Sequence, residues 1–464
     1  MIEVRVRIAP SPTGEDLHIG NVYTALLNYV FARKNKGKFV LRVEDTDRTR
    51  FIKGSEEKIL KSLQWLGLSH DEGPDIGGLY GPYRQSERLE IYRSNAQELV
   101  KKGKAYYCYC TPDRLENMRR IQKEKGLPTL YDGKCKKKDQ RSKIKDQKYV
   151  IRLNVPEDGK IEFEDVIRGK ISFENKLIDD QVLLKSDGFP TYHLAVVVDD
   201  SLMKISHVIR AEEWISSTPK HILLYKYFGW KLPVYAHGPI LRNPDRSKLS
   251  KRKNPVWTSW YKKQGFLPEA ILNYLALMGW SMNDGREIFT LVEMMKYFDL
   301  KDLKAIGPAF DIKKLEWMNG EYIRKAQNSN LKSQIYEYLD KKYPEDLIGR
   351  TIPLVKERIK KLSDYLPLCE FFFNRPGKYE VGLDDKDLLL SKVAQRLQEL
   401  NHWKAVKIGE TMQNLAEELK IKNSEFFMVL RVAITGKKIS PPLNESMEIL
   451  GKKEVHERIV DCYQ

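Results

Sequence analysis

The sequence predicts an α/β fold that carries an α+β insertion and is followed by all-α regions, and three observations support this. In the first hundred residues strand-like and helix-like segments alternate, the order that builds a parallel sheet covered by helices. Near Tyr106 the composition shifts to a close cysteine pair, a charged stretch and a lysine run, after which strand-like segments return. Beyond about Asn243 the apolar residues recur mostly at helical spacing.

The elements follow in chain order. Ile2, Val4, Val6 and Ile8 alternate with Glu3, Arg5 and Arg7, so a short strand runs to Ala9. A Pro/Ser/Gly turn spans 10–14, a helix is expected over 21–36, Gly37 stops it, and KFVLRVED supplies the next strand. A charged helix is expected over 112–125, followed by a lysine-rich stretch over 134–148 and the strand-like segments YVIRLNV, KIEFEDVI and KISF. Together these read as an insertion with its own small fold. From Pro190 the α/β pattern resumes through YHLAVVVDD and SHVIRAEEW to a helix over 218–228. EAILNYLALMGW then puts Ile271, Leu272, Leu275 and Met278 on one helical face, and DKDLLLSKVAQRLQELNHW continues the amphipathic pattern.

Lysine and arginine total 81 against 64 aspartates and glutamates, a net charge of +17. Such an excess suits a polyanionic partner through long-range attraction and counterion release, although a solvated basic surface would look the same. No apolar run approaches the roughly 20 residues of a membrane-spanning helix. The N-terminus has no basic segment leading into an apolar one, so export is not expected. Five cysteines, few and odd in number, argue against a disulfide scaffold and for a reducing compartment, the cytoplasm.

Two segments carry phosphate chemistry. In the first, Ala9 to Gly20, a strand enters a turn stiffened by Pro10 and Pro12, and a helix opens near Gly20. Free N–H groups and partial positive charge at a helix N-terminus suit triphosphate oxygens. Gly14 and Gly20 let backbone approach a ligand, and His18 can donate to a phosphate oxygen as charge builds on it. The second segment is Lys248-Leu249-Ser250-Lys251-Arg252, flanked by turn formers at Asn243-Pro244-Asp245 and Asn254-Pro255. Its lysines would offset charge moving onto departing pyrophosphate. Read singly, the first segment is an ordinary turn and the second a solvated basic loop; the pairing favours the phosphate reading.

These segments resemble the HIGH and KMSKS signatures of class I aminoacyl-tRNA synthetases. RIAPSPTGEDLHIG, LRVEDTDRTR, GPYRQSERLEIY, SDGFPTYHLA, HVIRAEEW, KLSKR and GFLPEAILNYLALMGWS resemble the glutamyl member, in its order and spacing, densely from Val4 to Arg324. The resemblance implies a split Rossmann-type catalytic domain over 1–87 and 188–243 and an inserted acceptor-end-binding domain over 88–187. It implies a stem-contact domain over 244–326 and an α-helical anticodon-binding region over 327–464. It further implies ATP and Mg2+ as co-reactants, L-glutamate and tRNA as substrates, and a monomeric enzyme. By motif, Arg7, Ala9, Ser11, Glu44, Tyr192 and Arg210 would hold glutamate. Arg7 would read the side-chain carboxylate and Glu44 the ammonium. Gly14, His18, Gly20, Asn21, Glu213, Leu241 and Lys248 to Arg252 would hold ATP, with His18, Gly20, Lys248 and Lys251 catalytic.

The chain departs from the family pattern at three places. Asn21 stands where the first signature often has a second histidine. Val196 stands where the family more often has asparagine near the substrate. Cys108, Cys110 and Cys135 match the cysteine spacing of a zinc site found in some members, but Lys136, Lys137 and Lys138 stand where a fourth ligand may occur. Tyr107, Tyr109 or Tyr131 could complete that site, and three buried free thiols are the alternative.

On the tRNA side, the 134–148 lysines and Arg50 are expected to face the acceptor arm, giving affinity without identity. Phe371, Phe372, Phe373 and Trp403 could stack on anticodon bases, but their spacing favours the core. A form that also charges the glutamine tRNA is an alternative. A glutaminyl enzyme fits less well, because that family usually has a β-barrel anticodon region. A short paralogue that modifies a tRNA base, another adenylate-forming transferase and a non-enzymatic RNA-binding module each leave either the helical third or the paired loops unexplained.

Overall fold

The computed structural model describes residues 3–136, 148–249 and 255–463. The chain forms two compact units, one from Met1–Tyr261 with Ile271–Asp311 and one from Lys262–Ala270 with Ile312–Gln464.

The first unit opens with β1 (Arg5–Ile8), α1 (Ile19–Lys34) and β2 (Lys38–Leu41). β1 and β2 pair in parallel, from Arg5 opposite Lys38 to Ile8 opposite Leu41. Helix α1 starts two residues earlier than the apolar spacing suggests, because His18 caps it and its Nδ1 accepts the Gly20 N–H at 3.0 Å. Gly37 is required just after α1, since a Cβ there would lie 2.1 Å from the Val4 carbonyl oxygen. Helices α2 (Ser55–Trp65) and α3 (Leu89–Lys101) follow.

The expected insertion begins with β3 (Ala105–Cys108), α4 (Pro112–Glu124), β4 (Val150–Leu153), β5 (Lys160–Asp165), β6 (Gly169–Glu174) and β7 (Val182–Leu184). β3, β4 and β7 make a small antiparallel sheet. The chain then runs through α5 (Tyr192–Leu202), β8 (His207–Ala211), α6 (Thr218–Phe228) and β9 (Val234–Gly238). β8 and β9 are parallel, and the β5–β6 hairpin adds to β9 to give the order β6-β5-β9-β8. KIEFEDVI and KISF, read as part of a separate small fold, therefore extend the sheet of β8 and β9. Alternation along β5 shows that one face is buried but not which sheet receives its edge. The run of valines in YHLAVVVDD is helical: α5 is buried continuously from Leu194 to Asp200. Ser206 N–H donates to the Arg5 carbonyl at 2.9 Å, which brings β1 beside the start of β8.

Beyond β9 the structure is helical, with α7 (Thr258–Lys263), α8 (Pro268–Ala276) and α9 (Leu291–Tyr297). The second unit contains α10 (Ile312–Lys325), α11 (Asn328–Tyr338), α12 (Glu345–Val355), α13 (Tyr365–Cys369), α14 (Asp387–Gln398), α15 (Ala405–Glu418), α16 (Asn423–Thr435), α17 (Leu443–Leu450) and α18 (Lys452–Val460). One apolar cluster in it gathers Leu331, Ile335, Ile352, Tyr365, Phe371 and Phe372; another gathers Leu390, Val393, Met412, Leu430, Met447 and Ile459. Phe371 and Phe372 are thus core residues, as their spacing suggests. The Trp403 indole N–H is bonded to the Met447 carbonyl at 2.9 Å. Among the described residues no helix is long and apolar enough to cross a membrane.

Candidate active site

A cleft of about 1260 Å³ opens in the first unit at the C-terminal ends of β1, β2, β8 and β9, where a parallel sheet leaves room for a ligand. It is lined by Arg7, Ala9, Ser11, Gly14, His18, Gly20, Asn21, Glu44, Tyr192, Arg210, Glu213, Leu241, Lys248 and Leu249. Every candidate glutamate or ATP residue that the structure describes lies on this one surface. Ser250, Lys251 and Arg252 lie outside the described residues, as do Lys137 and Lys138.

Arg7 is a buried residue, not an outward-facing one. It is 4% exposed, and its Nε donates to Asp200 Oδ1 at 3.1 Å. Asp200 is shared with Arg42, which has no exposed surface and donates to Asp200 Oδ1 at 2.7 Å and to Glu44 Oε1 at 3.0 Å. Asp199, next along α5, accepts from Arg88 at 2.7 Å and from Gln85 at 2.9 Å. Three guanidiniums (Arg7, Arg42, Arg88) thus face three carboxylates (Glu44, Asp199, Asp200) in the low-dielectric interior. There each unpaired charge would cost several kcal/mol, roughly. Burial opposes ionisation of Asp200, but Arg7 and Arg42 outweigh it and hold its carboxyl below the usual range. At Glu44 burial wins and raises the pKa despite Arg42.

Across the cleft, the Arg210 guanidinium donates to the Tyr192 hydroxyl at 3.3 Å, and the Tyr192 ring packs on Trp214 with centroids 4.2 Å apart. Val196, one helical turn beyond Tyr192, does not line the cleft among the described residues. It is 1% exposed and belongs to the apolar cluster that also holds Leu99, Leu153 and Leu224.

At the other end, two distant segments are joined. Ile19 N–H donates to the Val256 carbonyl at 2.7 Å, and the Thr258 hydroxyl donates to the Leu17 carbonyl at 2.7 Å. Asp16 accepts from the Ser259 N–H at 2.6 Å and the Ser62 hydroxyl at 2.7 Å. These bonds hold the chain beyond the lysine loop against the His18 turn. They also revise the reason for two glycines. A Cβ on Gly14 would lie 2.5 Å from the Trp257 ring, and one on Gly20 would lie 3.1 Å from His18 Nδ1, so both make room for protein atoms. Because His18 Nδ1 accepts the cap bond, its Nε2 is the donor nitrogen in the neutral ring. The loop before the second signature turns on Asn243, whose side-chain amide donates to the Lys248 carbonyl at 3.1 Å. The Lys248 ammonium donates to the Glu213 carboxylate.

The three cysteines also meet. The Sγ atoms of Cys108, Cys110 and Cys135 all lie within 4.8 Å of one another. Of the three tyrosines considered, Tyr131 is hydrogen-bonded to this group. Its hydroxyl lies 3.5 Å from Cys108 Sγ and 3.3 Å from Cys110 Sγ. Burial opposes ionisation of Cys108, but Tyr131, the Cys110 backbone and Arg152 outweigh it and lower the thiol pKa; burial raises that of Cys110. Three sulfurs gathered this closely fit three of the four donors of a structural zinc site.

Sequence reasoning missed Arg42, Asp199, Asp200 and Trp257. The acidic pair did leave a signal: two carboxylates that end an apolar run of helical length need cationic partners indoors. Trp257 left none.

Residues 3–317 match the family of tRNA synthetases class I (E and Q), catalytic domain, and residues 291–462 match an anticodon binding domain. A glutamate–tRNA ligase of Acidothermus cellulolyticus is 47% identical over 97% of this chain and 93% of its own length. One of Cellvibrio japonicus is 47% identical over 99% and 93%. The crystal structure of a glutamate tRNA ligase from Elizabethkingia meningosepticum in complex with its amino acid superposes with a TM-score of 0.87, at 36% identity over 99% of both chains. A cleft built from both signatures, joined to this likeness along nearly the whole length, places the chain in the class I tRNA synthetases of the E and Q type.

Proposed function

We infer that the chain ligates L-glutamate to tRNA at the expense of ATP. A glutamate carboxylate oxygen attacks the α-phosphorus of Mg2+-bound ATP, pyrophosphate leaves, and glutamyl-adenylate forms. A hydroxyl of the 3′-terminal ribose of the glutamate tRNA then attacks the acyl carbon, and AMP leaves. The observation that carries this reading is the convergence of buried charged groups at one end of the cleft with His18 and Lys248 at the other. Neither step needs a protein nucleophile, so positioning and electrostatics are the protein's contribution.

In this reading Arg7 and Arg210 meet glutamate carboxylate oxygens and Glu44 takes the ammonium. His18 Nε2–H and the N-terminus of α1 meet the phosphates, and Lys248 and Lys251 offset charge on the departing pyrophosphate. Residues 88–187 meet the acceptor end, 244–326 the stem and 327–464 the anticodon, in a cytoplasmic monomer. Cys108, Cys110, Cys135 and Tyr131 hold a structural zinc ion.

Aminoacylation with labelled glutamate or glutamine, against separate glutamate and glutamine tRNA transcripts, tests the reading. Glutamate on its own tRNA alone is expected. Glutamate on both tRNAs would mark a relaxed enzyme, and glutamine charging would overturn the assignment. Metal analysis should find one zinc per chain, with the zinc lost in Cys110→Ser.

A further inference from the structure

The two cleft arginines are held by different kinds of group. Arg7 donates to a carboxylate, whereas among the described residues Arg210 has none within ion-pair distance. Its Nε donates to His237 Nε2 at 3.0 Å, Nη2 to the Thr218 hydroxyl at 2.8 Å, and Nη1 to His221 Nδ1 and to the Tyr192 hydroxyl, each at 3.3 Å. A guanidinium only donates, so each nitrogen that receives one of these bonds must carry a lone pair.

That requirement fixes a chain of tautomers. His237 accepts at Nε2, so its proton sits on Nδ1, which faces Asp165 Oδ2 at 2.6 Å. His221 accepts at Nδ1, so its proton sits on Nε2 and is donated to His193 Nδ1 at 3.1 Å. All three rings are therefore neutral, and an imidazolium at His237 or His221 would both remove an acceptor and add a second buried cation. Burial and the neighbouring cations act in the same direction: they hold His193 down to about 3 and His221 well below its ordinary value. At His237 burial lowers the pKa although Asp165 opposes it.

We propose that His221 and His237 are positioning residues for Arg210, neutral acceptors of fixed tautomer that aim its guanidinium while leaving its charge for a carboxylate of the bound amino acid. This deepens the glutamate-ligase reading and rests on it. Arg7, Arg42 and Arg88 are paired directly with three carboxylates, whereas Asp165 reaches Arg210 only through the neutral His237 ring, so the Arg210 guanidinium has no direct carboxylate partner among the described residues. A carboxylate of the bound amino acid supplies that direct partner, and without it the guanidinium is left with neutral acceptors alone.

The test compares variants that keep or remove the acceptor. His221→Asn keeps an oxygen near the place of Nδ1, and His221→Leu does not; His237→Gln and His237→Leu make the same contrast at Nε2. Aminoacylation kinetics of the full chain should show the glutamate KM raised about tenfold or more in the leucine variants, the size expected for a lost bond to a charged group. The ATP KM should stay within about twofold, and Asn or Gln should recover most of the loss. Equal effects of Leu and Asn at position 221, or an unchanged glutamate KM in a folded His221→Leu, would overturn the proposal. Nitrogen NMR of ring-labelled wild-type protein is a second readout that needs neither catalysis nor a variant. At neutral pH it should show His237 protonated on Nδ1 and His221 on Nε2, and an imidazolium or the reverse tautomers would overturn the proposal. Wild-type protein that charges no glutamate would instead defeat the ligase reading, with the NMR result still standing by itself.

Discussion

At the Arg7 end of the cleft the charged side chains are buried and mutually neutralised, whereas at the Lys248 end they are exposed. Arg42 has no exposed side-chain surface and Asp200 has 4%, against 60% for Lys248 and 40% for its partner Glu213. Buried ion pairs contribute geometry at the risk of a large cost if one partner is lost. Exposed pairs contribute little to stability and can exchange a protein partner for a ligand. One end of the cleft is thus a buried, fully paired charge network, and the other an exposed ion pair whose members can exchange partners.

The sharpest way to break this contrast is Asp200→Asn, which leaves Arg7 and Arg42 short of a carboxylate. A destabilisation of about 3–5 kcal/mol is expected in urea unfolding; a loss under about 1 kcal/mol would mean that the network is not the strut it looks to be. Lys248→Ala should do the opposite. Aminoacylation should fall about 100-fold with the removal of one transition-state charge partner, while the thermal midpoint stays put. A parallel fall in both would erase the distinction between the two ends.

Acidification probes the Arg210 wall. His193 has its folded pKa held down to about 3, against an ordinary 6.5 when unfolded. Its contribution is therefore fully present above pH 6.5 and is lost progressively as pH falls from there toward 3, because the unfolded chain takes up the proton first. Unfolding measured across that window should show the decline, and His193→Gln should make it shallower, with His221 and His237 supplying the remainder.

Two smaller effects concern the junction of the signatures. Gly14→Ala presses a methyl group against Trp257 and should cost about 1–3 kcal/mol. Thr258→Val removes the hydroxyl bond to Leu17 and should cost about 1 kcal/mol. Both are measured by thermal or urea unfolding, and an increase in stability for either would show that the staple is strained.

Legibility varied along the chain for physical reasons. The His18 turn could be read locally, because a strand, two prolines and a helix start are nearest-neighbour chemistry, but that His18 itself caps the helix was shown only by the structure. The cysteines could be singled out by their spacing, and the structure brings the three sulfurs together with the Tyr131 hydroxyl beside them. Arg7 could be named but not its environment, since its partner lies 193 residues away. Val196 could be flagged as a departure, yet it turned out to pack in the apolar interior behind Tyr192. The β5–β6 hairpin was legible as two strands and illegible as an extension of the sheet that carries Arg210.

By itself the sequence determined the order of structural classes, the two signature segments and the spacing of three cysteines. Each of these is written in residue type and short-range spacing, and backbone geometry acts over that range. Only the tertiary structure decided which carboxylate neutralises which guanidinium and which tautomer each buried histidine must adopt. It also decided that an indole is what forbids a side chain at Gly14. Those choices depend on groups from distant parts of the chain meeting in a medium too apolar to leave any of them unpaired.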